Sequence, residues 1–150
     1  YANANIDAVM TVATKGISLA YAVAGYLNAP VVIVRRDPKV TEGSTVSINY
    51  ISGSTKRIQT MVLSKRSLAE GSTVLIVDDF MKAGGTINGM IDLLREFNAT
   101  VSGIAVLVEA EEPEERLVDD YLSLVKLSNV DVKGKKINVT QGNYFNKHIE

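Results

Sequence analysis

The chain has 150 residues, 46% apolar and 22% charged, the length and make-up of about one globular domain, which excludes a disordered tail or a fibre. Lys and Arg number 16 against 17 Asp and Glu, for a net charge of -1; a chain so balanced is not by itself a nonspecific nucleic-acid clamp. Cysteine is absent and His148 is the single histidine, so disulfides, thiolate metal sites, a cysteine nucleophile, a histidine zinc site and a Ser-His-Asp triad all drop out.

The start, Tyr1-Ala-Asn-Ala-Asn, has neither an initiator Met nor the basic n-region of a signal peptide. Tyr1 is therefore expected to be a cut point in a longer protein. Ala8 to Ala13 is a short β-branched run and reads as a strand. Gly16 to Val34 holds 19 uncharged positions, near the length of a membrane span. Gly25, Asn28 and Pro30 interrupt it, so it is better read as a buried helix, a break and a buried strand. Ile17, Ala20, Tyr21, Ala24 and Leu27 recur at helical spacing. Asn28-Ala29-Pro30 stops that helix, and Val31 to Val34 is a strand covered on both faces. The opening is thus a βαβ unit.

Val46 to Ile51 alternates apolar and polar residues, Ser52 to Thr55 is turn chemistry, and Ile58 to Leu63 follows. This pattern predicts an antiparallel hairpin with one solvated face. Between Arg35 and Arg66 seven basic residues face two acidic ones, a local net of +5, which is either a solvated face or an anion-binding surface. Val74 to Val77 is a second fully apolar strand, ended by Asp78-Asp79. A helix is expected over Ile87 to Phe97, with Ile87, Met90, Ile91, Leu94 and Phe97 on one face. Val101 to Val108 reads as another buried strand. Glu109 to Asp120 carries seven acids and one Arg and is expected to be an exposed helix after Pro113. Leu122 to Leu127 is the last strand of the sheet. Val130-Asp131-Val132 and Ile137-Asn138-Val139 form a small closing hairpin, and Asn143 to Glu150 is a frayed end. The expectation is one α/β domain over residues 1–150.

The chemistry lies in Val74-Leu-Ile-Val-Asp-Asp-Phe-Met-Lys-Ala-Gly-Gly-Thr86. A buried parallel strand delivers two carboxylates to its C-terminal end, where open α/β sheets bind ligands. Carboxylates accept hydrogen bonds from sugar hydroxyls. Gly84-Gly85 lets successive N–H groups converge on an anion. Thr86 is a candidate both to cap the next helix and to donate its hydroxyl to a phosphate, and the helix N-terminus favours negative charge. Acid pair for a ribose, glycine loop for a phosphate: the layout suits a ribose 5-phosphate. The competing GxxxxGK[ST] and GxGxxG patterns are absent.

This string resembles the signature of the type I phosphoribosyltransferases, which bind phosphoribosyl pyrophosphate (PRPP). The resemblance runs over nearly the whole chain. It implies an open, mostly parallel sheet flanked by helices, with an antiparallel flap hairpin over Val40 to Leu63. It implies that Asp78 and Asp79 take the ribose, and that Lys82, Ala83, Gly84, Gly85 and Thr86 take the 5-phosphate. A pyrophosphate loop would fall on Thr14-Lys15-Gly16, often held in such proteins by a non-proline cis peptide. Arg36, of the basic pair Arg35-Arg36, and Lys39 would assist it. Phe80 would either stack on a purine base or pack in the core. No metal ligand is direct; Mg²⁺ would arrive with PRPP. The departure is Lys82-Ala83, where the family often has Thr-Thr: Ala83 lacks a hydroxyl donor and Lys82 adds a point charge.

With Arg35-Arg-Asp-Pro-Lys-Val-Thr-Glu-Gly-Ser-Thr-Val-Ser47 upstream, the string is similar to the purine operon repressor family of Gram-positive bacteria. That resemblance implies a non-catalytic, PRPP-sensing effector domain in a cytoplasmic, dimeric regulator. A winged-helix DNA-binding domain would lie upstream of Tyr1, operator DNA would be the partner, PRPP would relieve DNA binding, and no membrane would be involved. The alternatives are an active purine (xanthine-type) phosphoribosyltransferase, or a pocket for a guanosine alarmone.

Overall fold

The computed structural model describes residues 1–37, 43–52, 56–131 and 136–147. Strands β1 (Ala8–Val12), β2 (Val31–Val34), β5 (Thr73–Met81), β6 (Thr100–Ala110), β7 (Leu122–Asp131) and β8 (Lys136–Gln141) form one sheet in the order β2-β1-β5-β6-β7-β8. All pairings are parallel except β7 with β8. Strands β3 (Thr45–Ile51) and β4 (Ile58–Ser64) make a separate antiparallel pair. Helices α1 (Ile17–Leu27) and α2 (Gly85–Arg95) lie on opposite faces, and α3 is the short Tyr144–Lys147. The mostly parallel α/β sheet with an antiparallel hairpin is the expected fold class.

Alternation along β5 explains the two layers. Val74 and Ile76 join the core under α2, together with Met10, Ile87, Met90, Leu93 and Leu94. Leu75 and Val77 join the other core, with Val9, Ala20 and Ala24 of α1. A strand buried on both faces must be apolar throughout, as Val74 to Val77 is. The α2 face is fully buried at Met90, Leu93 and Leu94, and each such side chain contributes roughly 1.5–3 kcal/mol.

The β3–β4 hairpin belongs to this core. Tyr50, Met61 and Leu63 are buried in it, and backbone hydrogen bonds between Arg35 and Val62 tie β4 to the end of β2. Its closest approach is to Gly89 of α2, where a Cβ would stand 2.9 Å from Tyr50 Cβ and 3.2 Å from Met61 Cε. Alanine would gain about 1 kcal/mol of helix propensity there, but overpacking costs about 1–3 kcal/mol. Gly89→Val is therefore expected to destabilise the fold by about 3 kcal/mol, read by urea unfolding, whereas an unchanged midpoint would mean the hairpin does not dock on α2.

Several expectations are corrected. Tyr21 is 74% exposed and Tyr26 83% exposed, so α1 buries only a narrow alanine stripe; the ring of Tyr21 is too large for the seam that Ala20 and Ala24 fill. Helix α2 starts at Gly85, two residues early, because Gly84 at φ +82 turns the chain directly into it. Thr86 is thus inside α2 and does not cap it; Gly84 holds the cap position, with no side-chain cap hydrogen bond. No helix forms between Pro113 and Asp120. Adjacent carboxylates repel, and Arg116 and Leu117 instead bond to the Lys82 and Ala83 carbonyls. The small closing hairpin is not separate: β7 is one long strand that pairs with β6 over Leu122 to Leu127 and with β8 from Val125 to Asp131. Asn143 is not frayed, since its side chain bonds to the backbone at Ser123 and Tyr121. Lys39, Val40, the hairpin turn at 53–55 and His148 lie outside the described residues. Among those described, no helix is long and apolar enough to cross a membrane.

Candidate functional site

From β1 the chain steps to β2 on one side, and β5 pairs with β1 on the other. The strand order therefore reverses at β1/β5, and in open α/β sheets the crevice at such a reversal binds ligands. Register shows why the crevice opens there. Strand β1 pairs with β5 only as far as Met10 and Ile76, while β5 continues against β6 to Met81. The β5 edge beyond Val77 is left without its β1 neighbour.

A cleft of about 520 Å³ occupies this place. Thr14, Lys15, Arg36, Asp78, Asp79, Phe80 and all of Lys82 to Thr86 line it. Two segments about sixty residues apart in sequence are thus brought together with Arg36. Gly16 sits buried behind the lining, where a Cβ would overlap Thr11 Oγ1 and lie 3.5 Å from Asp78 Oδ1. The Ala13–Thr14 peptide is cis. Lys39 cannot be placed, since it lies outside the described residues.

The acid pair does not end its strand, as the sequence reading expected; β5 carries both residues inside it. Their side chains leave opposite faces of the strand, yet both reach the cleft because the cleft wraps the free edge of β5. Asp78 is 7% exposed. Burial, reinforced by the Asp79 carboxylate, pushes its carboxyl up to about 7, against the pull of the Asp79 N–H and Arg36. Asp78 Oδ1 accepts that N–H at 3.0 Å. Phe80 is 44% exposed on the cleft wall and is not a core residue.

Two helix N-termini flank the pair. The first N–H groups of any helix lack intrahelical acceptors and carry partial positive charge. Those of α1 follow Thr14-Lys15-Gly16, and those of α2 follow Ala83-Gly84. The cleft thus offers a central acidic pair between two anion-attracting ends, with Lys15, Arg36 and Lys82 as cations on its wall.

Beneath it, Thr11 Oγ1 is fully buried and has no hydrogen-bond partner among the described residues. An orphan hydroxyl costs about 1–3 kcal/mol. Thr11→Val, which keeps the shape, is expected to raise the unfolding free energy by about 1 kcal/mol; a loss in chemical denaturation would mean the hydroxyl is satisfied.

One cluster was missed by the sequence reading. Glu109, 5% exposed, accepts hydrogen bonds from Tyr121 Oη at 2.5 Å and Ser123 Oγ at 2.6 Å. Arg116 lies 3.5 Å from the same carboxylate, with its side chain only 12% exposed, and stacks over the Tyr121 ring at 5.7 Å. Burial and the Glu109 carboxylate raise the Tyr121 hydroxyl to about 12. The one available signal was a single Arg among seven acids.

A sheet reversal with an acidic pair between two anion-attracting helix ends defines an open α/β domain with a ligand crevice at its switch point. The Phosphoribosyl transferase domain family matches residues 1–140, and the chain belongs to that family. It is 69% identical over 145 residues to the purine biosynthesis transcriptional repressor PurR of Bacillus subtilis (strain 168), covering 97% of this chain and 51% of that protein. It is 54% identical over 146 residues to the purine biosynthesis transcriptional activator PurR of Lactococcus lactis subsp. lactis (strain IL1403), covering 97% of this chain and 54% of that protein. The chain thus spans about half the length of these curated relatives. Among solved structures, adenine phosphoribosyltransferase from Thermoanaerobacter pseudethanolicus aligns with TM-score 0.72 and 25% identity over 83% of this chain and 72% of that one.

Proposed function

We propose that this chain is the PRPP-sensing effector domain of a cytoplasmic, dimeric repressor of purine biosynthesis and transport genes. A winged-helix domain ahead of Tyr1 would read operator DNA, and PRPP in the cleft would weaken that binding. The observation that carries the reading is the cleft itself: Asp78 and Asp79 stand between the Thr14–Gly16 and Lys82–Thr86 loops. In this reading the pair accepts the ribose hydroxyls, the α2 end with Lys82 holds the 5-phosphate, and the α1 end with Lys15 and Arg36 holds the pyrophosphate. Phe80 is the wall against which a base, if present, would stack.

The residues fit a Mg²⁺ carried by the ligand. Mg²⁺ prefers phosphate oxygens, waters and one or two carboxylates over an all-protein cage. Among the described residues no group of three or more His, Asp or Glu is placed to hold a metal, while two adjacent carboxylates line the cleft. Bound there, the ion would offset the charge of the pyrophosphate. Asp78 and Asp79 would orient the ribose and its ion-bound waters.

Sensing in place of turnover is supported by Lys82-Ala83 and by the regulator names of the relatives at 69% and 54% identity. Binding can shift the regulator only by the difference in PRPP affinity between its two states. The test supplies full-length protein with PRPP, Mg²⁺ and each common purine base, and follows PRPP binding, pyrophosphate release and operator binding together. PRPP binding with operator release and no pyrophosphate is expected. Turnover at about 1 per second or faster, an ordinary enzyme rate, would instead make the chain a transferase.

A further inference from the structure

We propose that Arg116 is a positioning residue for the 5-phosphate end of the cleft, acting through the backbone of the Lys82–Gly84 loop. The proposal rests on the phosphosugar reading of the cleft and adds to it what holds the loop in its binding conformation.

The loop has two peptide carbonyls tied down from outside the cleft. Arg116 Nη1 donates to the Lys82 carbonyl at 2.9 Å, and the Leu117 N–H donates to the Ala83 carbonyl at 2.9 Å. The Lys82–Ala83 and Ala83–Gly84 peptides are trans. In a planar trans peptide the C=O and the following N–H point in opposite directions. Fixing the two carbonyls outward therefore aims the Ala83 and Gly84 N–H groups the other way, toward the cleft that Ala83 and Gly84 line. Successive N–H groups converging in this way form an anion-binding concavity. Val118, 6% exposed, packs against Gly84 and closes the back of the loop.

Arginine suits this task where lysine does not. Its planar fork presents several donors in fixed geometry. Nη1 takes the Lys82 carbonyl while Nη2 takes the Ala110 carbonyl, so one group bridges the phosphate loop to the end of β6. The charge is compensated by Glu109, which Tyr121 and Ser123 hold in turn. Ser123 is itself locked by Asn143 through both its N–H and its hydroxyl. The loop is thus braced by a chain of hydrogen bonds running through β6 and β7 to Asn143, the residue ahead of α3. Arg116 touches no ligand in this scheme.

The test uses the full-length protein and two probes, ribose 5-phosphate and inorganic pyrophosphate, each with Mg²⁺, for the wild type, Arg116→Lys and Arg116→Ala. Both variants are expected to weaken ribose 5-phosphate binding by about tenfold or more, the equivalent of about 1.4 kcal/mol, and to leave pyrophosphate binding within about twofold of the wild type. If Arg116→Ala does not fold, Arg116→Lys, which keeps the charge opposite Glu109, carries the comparison. Equal losses for both probes would mean Arg116 merely supports the fold, and no loss for either would mean the loop is held without it; each overturns the proposal. A wild type that binds neither probe would overturn the phosphosugar reading, a different result from a wild type that binds both and a variant that matches it.

Discussion

Replacing Asp78 and Asp79 together by Asn is expected to weaken PRPP binding by the full-length protein on the order of 10³-fold. Hydrogen bonds to a charged group contribute about 1.5–3 kcal/mol each, and the pair would lose at least two of them to the ribose. The amides keep the shape of both side chains, so the cleft should remain. Calorimetric titration with PRPP and Mg²⁺ reads the loss directly. Operator binding by the same variant should no longer respond to PRPP. A variant that binds PRPP within threefold of the wild type would remove the acid pair from the ribose site and leave only a structural role for it.

The second large effect concerns Asp78 alone, without ligand. Its carboxyl is raised from 3.8 to about 7, first by burial and then by Asp79. The folded protein holds this proton more tightly than the unfolded chain. The stability that Asp78 contributes is therefore fully present below about pH 3.8 and is lost as pH rises through about 7. Above pH 7 the cleft holds a buried carboxylate beside a second one. At about 1.4 kcal/mol for each pKa unit, the rise from 3.8 to about 7 makes the full excursion about 4 kcal/mol. Asp78→Asn is accordingly expected to be more stable than the wild type at pH 8, and to lose the decline between pH 4 and 7. Urea unfolding of both proteins across that range measures it. A variant less stable than the wild type at pH 8 would show that the buried carboxylate is well compensated in the free protein. The stabilising variant would also bind PRPP more weakly than the wild type, which is the signature of a carboxylate kept for its ligand.

Much of this was legible because it is local. Val74 to Val77 reads as a buried strand since a strand covered on both faces leaves no room for a polar residue, whereas Val31 to Val34, at the sheet edge, is fully buried only at Val32 and Val34. The bounds of α1 were readable at both ends, from Gly16 and from Asn28, which adopts the left-handed conformation there. The acidic pair and glycine loop were readable because each residue type has few other uses in that order. The errors came where a distant segment decides the local state. Tyr21 has helical spacing with Ala20 and Ala24, but only the sheet beneath α1 determines how wide a face is buried. The acidic stretch after Pro113 is held by the Lys82 and Ala83 carbonyls, some thirty residues earlier in the chain, and no window on the sequence contains both partners.

By itself the sequence determined the class of fold, the order of its elements as far as β6 and the presence of an acid-pair and glycine-loop signature, because hydrophobic period, glycine placement and charge are properties of neighbours along the chain. Only the tertiary structure decided that Thr14, Lys15 and Arg36 line one cleft with Asp78, that Asp78 is buried deeply enough to hold a proton near neutrality, and that Arg116 donates to the Lys82 carbonyl. Those facts depend on where β1 stops pairing with β5 and on which carbonyls are left for a guanidinium to find. Both are settled when the sheet closes, not before.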